Sequence, residues 1–358
     1  MSNIVYILLY GVIGALITFG IFVVGLSLLE NFHFGHALGI NLDAYHTLLL
    51  ASLLSNWETH TCILILEEKE YPTLTSLMFG ETMVNDAVVI ALFNSIHDLH
   101  DKLKLLTDVH MTEFLSTLTQ LLQVGPISIL LGLGIAFLMC FILRRMRNLL
   151  ADNAYLQMTL VLVSGYLSFM ISEILHYAGA LTIFCAGFVL SYYAHHSMTE
   201  KGQTLTKVTV HFLGFLPESF IFAYIGFHVP FYFLQTWQEV VWLLMIIFGS
   251  FYIRAVTVYV LYLIASLLRC KIDLPSFKST TMLILAGMIR GSIPFALAVA
   301  AASSEDSPHP HLGNNKRTQS EFVCVLLLLT IFFTTPTLGG LVKCWVSCLG
   351  LKKENEHE

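Results

Sequence analysis

Apolar runs separated by short polar stretches recur along the whole chain, at residues 4–28, 44–66, 74–97, 115–143, 153–174, 178–194, 205–228, 238–268, 279–304 and 320–347. Most match the roughly 20 residues that a helix needs to cross a ~30 Å hydrocarbon layer. The pattern predicts an all-α polytopic membrane protein with about ten transmembrane helices.

Two spans are interrupted. The second carries a polar run at its centre, Ser55, Asn56, Trp57, Glu58, Thr59 and His60, and the ninth carries Gly287, Arg290, Gly291, Ser292 and Pro294. Mid-span glycine, proline and polar residues free backbone groups, which is tolerated where they line a cavity. Each broken span is the middle member of a three-span block, and the two blocks enter the membrane from opposite sides. Interrupted helices in corresponding, inverted positions point to an inverted-repeat transporter with two crossing interrupted helices. The expected organisation is a first core block at 1–97, connector and scaffold helices at 98–237, a second, inverted block at 238–347, and a short cytosolic tail at 348–358.

The third span places Glu81, Asn85 and Asp86 inside an apolar helix. At ~1.5 Å per residue, Asp86 lies ~18 Å from the Leu74 end, near the middle of the bilayer. Ionisable groups at that depth usually face a protein interior or a watery cavity and mark an ion or proton path. Arg254 and Arg290 also fall inside spans, with Glu58, Glu81, Asp86 and Glu218 as the candidate counter-charges and Glu218 the one expected for Arg290. Trp57 and the many phenylalanines read as lipid-facing or core bulk, and His60, His211 and His228 as packing or interfacial residues.

Composition narrows the class. The chain has 358 residues, 56% hydrophobic and 12% charged, about half the charge of a soluble domain. Apart from the two arginines inside spans, twelve lysines and arginines fall on one side of the membrane and four on the other. The positive-inside rule therefore puts both termini in the cytosol. No basic region suits a nucleic acid, so membrane lipid is the expected surroundings. The seven cysteines lack metal-type spacing; Cys344 and Cys348, one turn apart near a membrane end, are candidates for acylation. No cleavable signal peptide is evident in the first span. The stretch from His97 to Glu113 reads as an outer amphipathic loop. The polar loop at 303–317 carries His309 and His311, which lack a third metal ligand.

These motifs resemble the cation/proton antiporters of the sodium/proton exchanger family, in particular its organellar (endosomal and Golgi) eukaryotic branch. Phe79, Gly80 and Glu81 followed by Asn85 and Asp86 are similar to the family's sixth helix. SYYAHHSMTEKG, PESFIFAYIGF, IRAVTVYVLY and AGMIRGSIPFALAV resemble, in order, the loop after its ninth helix, its tenth, its eleventh and its GLRGAIPFAL element. The resemblance covers the family's fourth to thirteenth helices, so the chain reads as N-terminally short. It departs from the family at Glu58 and Thr59, which stand where the family has Asp-Pro.

The resemblance implies alternating-access exchange of Na+ or K+ for H+, with no cofactor, no metal beyond the transported ion and no enzymatic step. Asp86 would take cation and proton in turn, Asn85 and Glu58 would complete the ion site, and the neutral Asn85 goes with one-for-one, electroneutral exchange. Glu81 and Arg254 would form a structural charge pair, while Arg290, Gly291, Ser292 and Thr59 mark the helix breaks. Family members dimerise through the half that lacks helices here, so a homodimer weakened by the missing N-terminal helices is expected. The implied compartment is an endosomal or Golgi membrane, or the plasma membrane. Two other readings stand beside this one: a degenerate or truncated exchanger homologue without transport activity, and an intramembrane protease. The latter would need two aspartates sharing a proton, where this chain offers an aspartate and a glutamate.

Overall fold

The computed structural model describes residues 4–31, 42–66, 71–103, 111–146, 153–175, 177–230, 237–267, 277–304 and 319–350. Among these, every regular element is helical. Helix α1 (Ile4–Leu8) continues through a π-helical turn (Leu9–Ile13) into α2 (Gly14–Asn31). Then come α3 (Ala44–Leu54), α4 (His60–Ile65), α5 (Pro72–Leu103), α6 (Met111–Arg145), α7 (Ala154–Ile174) and α8 (Gly179–Val189). A second π-helical turn (Leu190–Ala194) leads through α9 (His195–Ser197) to α10 (Glu200–His228) and α11 (Trp237–Leu267). The chain closes with α12 (Phe277–Ala286), α13 (Ile293–Ser304) and α14 (Gln319–Leu349).

Seven described helices are long and apolar enough to cross a membrane: Tyr6–Leu29, Pro72–Asp98, Val124–Arg145, Ala154–Ile174, Glu200–His228, Trp237–Ser266 and Gln319–Leu349. The shorter apolar helices are Ala44–Leu54, Gly179–Ala194, Phe277–Ala286 and Ile293–Ser303. Four of these pieces belong to no full-length span by themselves, so the figure of about ten is not reached by continuous helices. One boundary is corrected. Helix α5 runs on to Leu103 and α6 starts at Met111, so the loop expected from His97 to Glu113 is helical at both ends. His309, His311, Cys270 and the tail at 351–358 lie outside the described residues.

Both expected interruptions are present. Helix α3 stops at Leu54 and α4 starts at His60; α12 stops at Ala286 and α13 starts at Ile293. The first break forms without proline. Instead, Thr59 N donates to Thr82 Oγ1 at 3.1 Å and Thr59 Oγ1 donates to the Met78 carbonyl at 2.8 Å, with the Thr59 and Thr82 hydroxyls also in contact. The first of these bonds uses a backbone N–H that proline lacks.

The chain divides into two compact units. The first comprises Met1–Val89, Leu99–Val109 and Ala223–Glu358. Its core joins Tyr6, Leu74, Met78, Leu261, Met282 and Ile289 from α1, α5, α11, α12 and the break that follows α12. Every residue of α3 is buried, as expected for a helix that is apolar all round. In hydrocarbon, burying one aliphatic chain against another gains little transfer energy, so close backbone approach carries more of the packing. Gly80 supplies it: a Cβ there would stand 2.4 Å from Ile7 Cδ1, so only glycine lets α1 lie against α5 beside Glu81.

The second unit comprises Ile90–Asp98 and His110–Phe222. Ala136, Met139, Cys140 and Leu143 of α6 pack on Ala186, Val189, Leu190 and Ala194. A Cβ on Gly132 would stand 2.4 Å from the Thr182 carbonyl oxygen, so α6 and α8 approach backbone to backbone. Within this unit Tyr155, Leu167, Val208, Phe212, Phe215 and Phe220 are exposed, an apolar surface suited to lipid.

Candidate functional site

The two breaks meet inside the first unit. Arg290, in the second break, donates from Nη1 to the carbonyl oxygens of Leu54 at 2.7 Å and Asn56 at 2.6 Å. These carbonyls belong to the end of α3, where a helix carries partial negative charge and unsatisfied acceptors, so a buried guanidinium is well placed. Arg290 is 3% exposed. Its own carbonyl accepts from Thr335 Oγ1 at 2.9 Å, which ties the second break to α14. Glu218, the expected partner, is exposed on α10; backbone carbonyls hold Arg290 through Nη1 instead, and Nη2 is buried without an acceptor.

Arg254 on α11 pairs with Glu81 on α5, Nη1 to Oε1, at 2.7 Å, both side chains 2% exposed. Arg254 Nη2 also donates to the Leu283 carbonyl at 3.2 Å. A pair this far from water repays its desolvation only when geometry is good and remaining donors are used, and the carbonyl contact uses one of them. The guanidinium also lies on Gly287, where a Cβ would stand 2.7 Å from Nε.

Trp57 lies between these two systems. Its ring centre is 4.4 Å from Arg290 Cζ and 5.2 Å from Arg254 Cζ, and the residue is 2% exposed. Trp57 is a core residue, one of the two readings open for it, and beyond its bulk its π-system faces two guanidiniums that would otherwise repel one another; such contacts are strongest when desolvated. A tryptophan inside the polar run at residues 55–60 was the available signal. What the sequence lacked was the knowledge that arginines 254 and 290 converge on it.

Glu58 and Asp86 are half-buried, and Glu58 and Asn56 are the side chains that bear most directly on Asp86. Glu58 rests on Gly291, where a Cβ would stand 2.4 Å from Oε2 and 3.1 Å from Glu58 Cβ. Asn85 Nδ2 donates to Asn56 Oδ1 at 3.4 Å, linking α5 to the first break. Ser292 opens α13, its carbonyl accepting from Ala296 N at 3.1 Å.

Two oxygens at this crossing stand out. Asn85 Oδ1 and Asp86 Oδ1 are buried and have no hydrogen-bond donor. A buried acceptor normally has a partner, and an anionic one costs far more when left alone. Adjacent carboxylate and amide oxygens are hard donors of the kind that oxygen-seeking cations take, and a proton is the other species that would satisfy the carboxylate. Asn56 Nδ2 and Trp57 Nε1 are also buried without an acceptor, so the crossing is under-satisfied in both senses. Among the described residues, no group of three or more His, Cys, Asp or Glu could hold a metal ion.

Comparison with known proteins bears on the same segments. The family described as "Sodium/hydrogen exchanger, transmembrane" matches residues 1–344. The chain is 28% identical to Sodium/hydrogen exchanger 3 of Arabidopsis thaliana over 354 residues, covering 95% of this chain and 66% of that protein. It is 26% identical to Sodium/hydrogen exchanger 1 of Oryza sativa over 345 residues, covering 94% and 62%. With Sodium/hydrogen exchanger 8 of Rattus norvegicus it shares 28% over 278 residues, covering 75% and 44%. The chain thus spans less than two thirds of these relatives' length. Among solved structures, the sodium proton antiporter MjNhaP1 from Methanocaldococcus jannaschii matches with a TM-score of 0.64 at 19% identity, covering 98% of this chain and 81% of that one. That likeness gives the fold.

Proposed function

Because the chain belongs to the sodium/hydrogen exchanger family, and is accordingly an integral multi-pass membrane protein, we propose that it is a secondary transporter exchanging Na+ or K+ for protons by alternating access. The observation that carries this reading is the pair of buried, unpartnered oxygens on Asn85 and Asp86. A carboxylate at this depth is satisfied by a cation or by a proton. Because both compete for the same oxygens, loading one releases the other, and the exchange is obligatory.

The surrounding residues divide the work. Asn85 supplies a neutral oxygen beside Asp86, in keeping with one cation for one proton. Glu58, seated on Gly291, adds negative potential to the pocket. The Glu81 and Arg254 pair, the Arg290 contacts to α3 and the Trp57 ring hold the breaks in register without contacting the ion. The blocks at 1–97 and 238–347 form the moving core, with the two interrupted helices crossing the membrane as pairs and both termini cytosolic. Na+, K+ and H+ are cargo. An endosomal or Golgi membrane is the proposed compartment, and a homodimer is the proposed assembly.

A second reading, a homologue that folds without exchanging ions, is favoured by one observation: Glu58-Thr59 stands in place of Asp-Pro. Reconstitution into proteoliposomes with an imposed pH gradient separates the two. The exchanger dissipates the gradient when Na+ or K+ is added outside. A folded chain that leaves the gradient intact with either cation is the silent homologue.

A further inference from the structure

An open groove of about 470 Å³ lies in the second unit, lined by Phe137, Cys140, Phe141 and Arg144 of α6 and by Tyr193, His196 and Ser197 beyond α8. The α6 residues are related by steps of three (137 to 140, 141 to 144) and four (137 to 141, 140 to 144), so they form one helical face running toward its C-terminal end. The opposite wall follows the π-helical turn at Leu190–Ala194. Such turns often sit at functional sites, and this one leaves the Tyr193 ring 5.5 Å from that of Phe137. Cys140, in the groove wall, also belongs to the packed cluster of Met139, Leu143, Leu190 and Ala194.

Its chemistry is graded along α6. Phe137 and Phe141 are exposed apolar surface within the span Val124–Arg145. Arg144 lies at the end of that span, where headgroups begin, and is exposed. Among the described residues Arg144 has no hydrogen bond or ion pair, and no carboxylate lines the groove. His196 donates from Nδ1 to the Tyr192 carbonyl at 2.8 Å, which fixes its ring at the mouth. The volume is within the range of a ligand site. A protein helix docked here would need a carboxylate at the level of Arg144, whereas a phospholipid brings an anion at that depth and an apolar chain below it.

We propose that this groove binds one anionic phospholipid, its phosphate on Arg144 with the hydroxyls of Tyr193 and Ser197 nearby and one acyl chain along Phe137 and Phe141. Basic pockets between spanning helices on the cytosolic side bind anionic headgroups in this way. The inference does not depend on ion exchange.

The test is native mass spectrometry of the detergent-purified full chain with short-chain phosphatidylserine, phosphatidylcholine, or soluble glycerophosphoserine. The proposal expects one phosphatidylserine per chain, held more tightly than phosphatidylcholine, with the soluble headgroup failing to compete. Arg144→Gln should weaken phosphatidylserine about fivefold, the factor that one interfacial basic residue contributes. Arg145→Gln, which removes the same charge from the neighbouring position outside the groove, should change it less than about twofold. Both residues are exposed, so neither change threatens the fold. Equal binding of the two lipids would overturn the proposal. So would equal losses in the two variants, which indicate general surface attraction, or competition by the soluble headgroup, which indicates a free-anion site. A dimer dissociated by Phe141→Asp, with no lipid retained, would instead assign the groove to a second copy.

Discussion

The carboxylate of Glu58 lies on Gly291: a Cβ at that glycine would stand 2.4 Å from Oε2 and 3.1 Å from both Cβ and Cδ of Glu58. One interrupted helix thereby seats the acidic group of the other, and the missing side chain at 291 is what gives Glu58 its place.

Gly291→Ala should therefore move the carboxylate more than it harms the fold. The blocking atom is the end of a flexible side chain, so the stability loss should fall at the low end of the ~1–3 kcal/mol typical of overpacking. Apparent cation affinity in proteoliposome flux should fall, and Glu58→Asp in the Gly291→Ala background should recover part of it by shortening the side chain. If the double variant is no better than Gly291→Ala alone, the seat does not position Glu58.

Arg254 and Glu81 predict an asymmetric mutational response. Arg254→Ala leaves Glu81 buried without its partner and should cost about 3 to 5 kcal/mol, visible as a large drop in thermal midpoint. Exchanging the two residues should restore part of that. An Arg254→Ala chain as stable and as active as the parent would remove the pair from the account.

Trp57 is expected to matter through its ring face. Trp57→Phe keeps a π-system near both guanidiniums and should retain most stability, while Trp57→Leu keeps apolar bulk but loses two cation–π contacts, each worth ~2 kcal/mol when desolvated. Thermal stability of the two variants in one detergent checks this. Equal behaviour of Phe and Leu would make Trp57 a packing residue only.

Thr59 gives a test of the first break. Thr59→Val removes the hydroxyl that donates to the Met78 carbonyl while keeping the backbone N–H bond to Thr82, and loss of a typical bond costs about 1 kcal/mol. Thr59→Pro removes the N–H bond as well and should be the more damaging of the two in thermal stability, even though proline favours helix breaks. A Thr59→Pro chain more stable than the parent would contradict the role given to these bonds.

The sequence made the helical class and both interruptions readable, because apolar run length reports spans, and mid-span glycine or polar residues report breaks. It left partners unreadable where they depend on backbone atoms. A sequence offers Arg290 only carboxylates such as Glu218 as visible partners, whereas the Leu54 and Asn56 carbonyls that hold it exist only once α3 has ended. Gly287 and Gly291 were legible as helix breakers but not as seats for Arg254 and Glu58, since seating is a relation between distant segments. The π-helical turns at Leu9–Ile13 and Leu190–Ala194 have no composition cue, and α5 ran past His97 because Asp98, Asp101 and Lys102 are polar without being helix breakers.

If Asp86 is the group shared by cation and proton, Asp86→Asn abolishes exchange. The change is nearly isosteric and removes a buried charge with no ion-pair partner among the described residues, so the fold should survive. Na+- and K+-dependent proton flux should be measured in proteoliposomes for the parent and Asp86→Asn, with thermal stability recorded for both. Flux is expected in the parent and none in Asp86→Asn, with similar thermal midpoints. Undiminished flux in Asp86→Asn would contradict that role for Asp86.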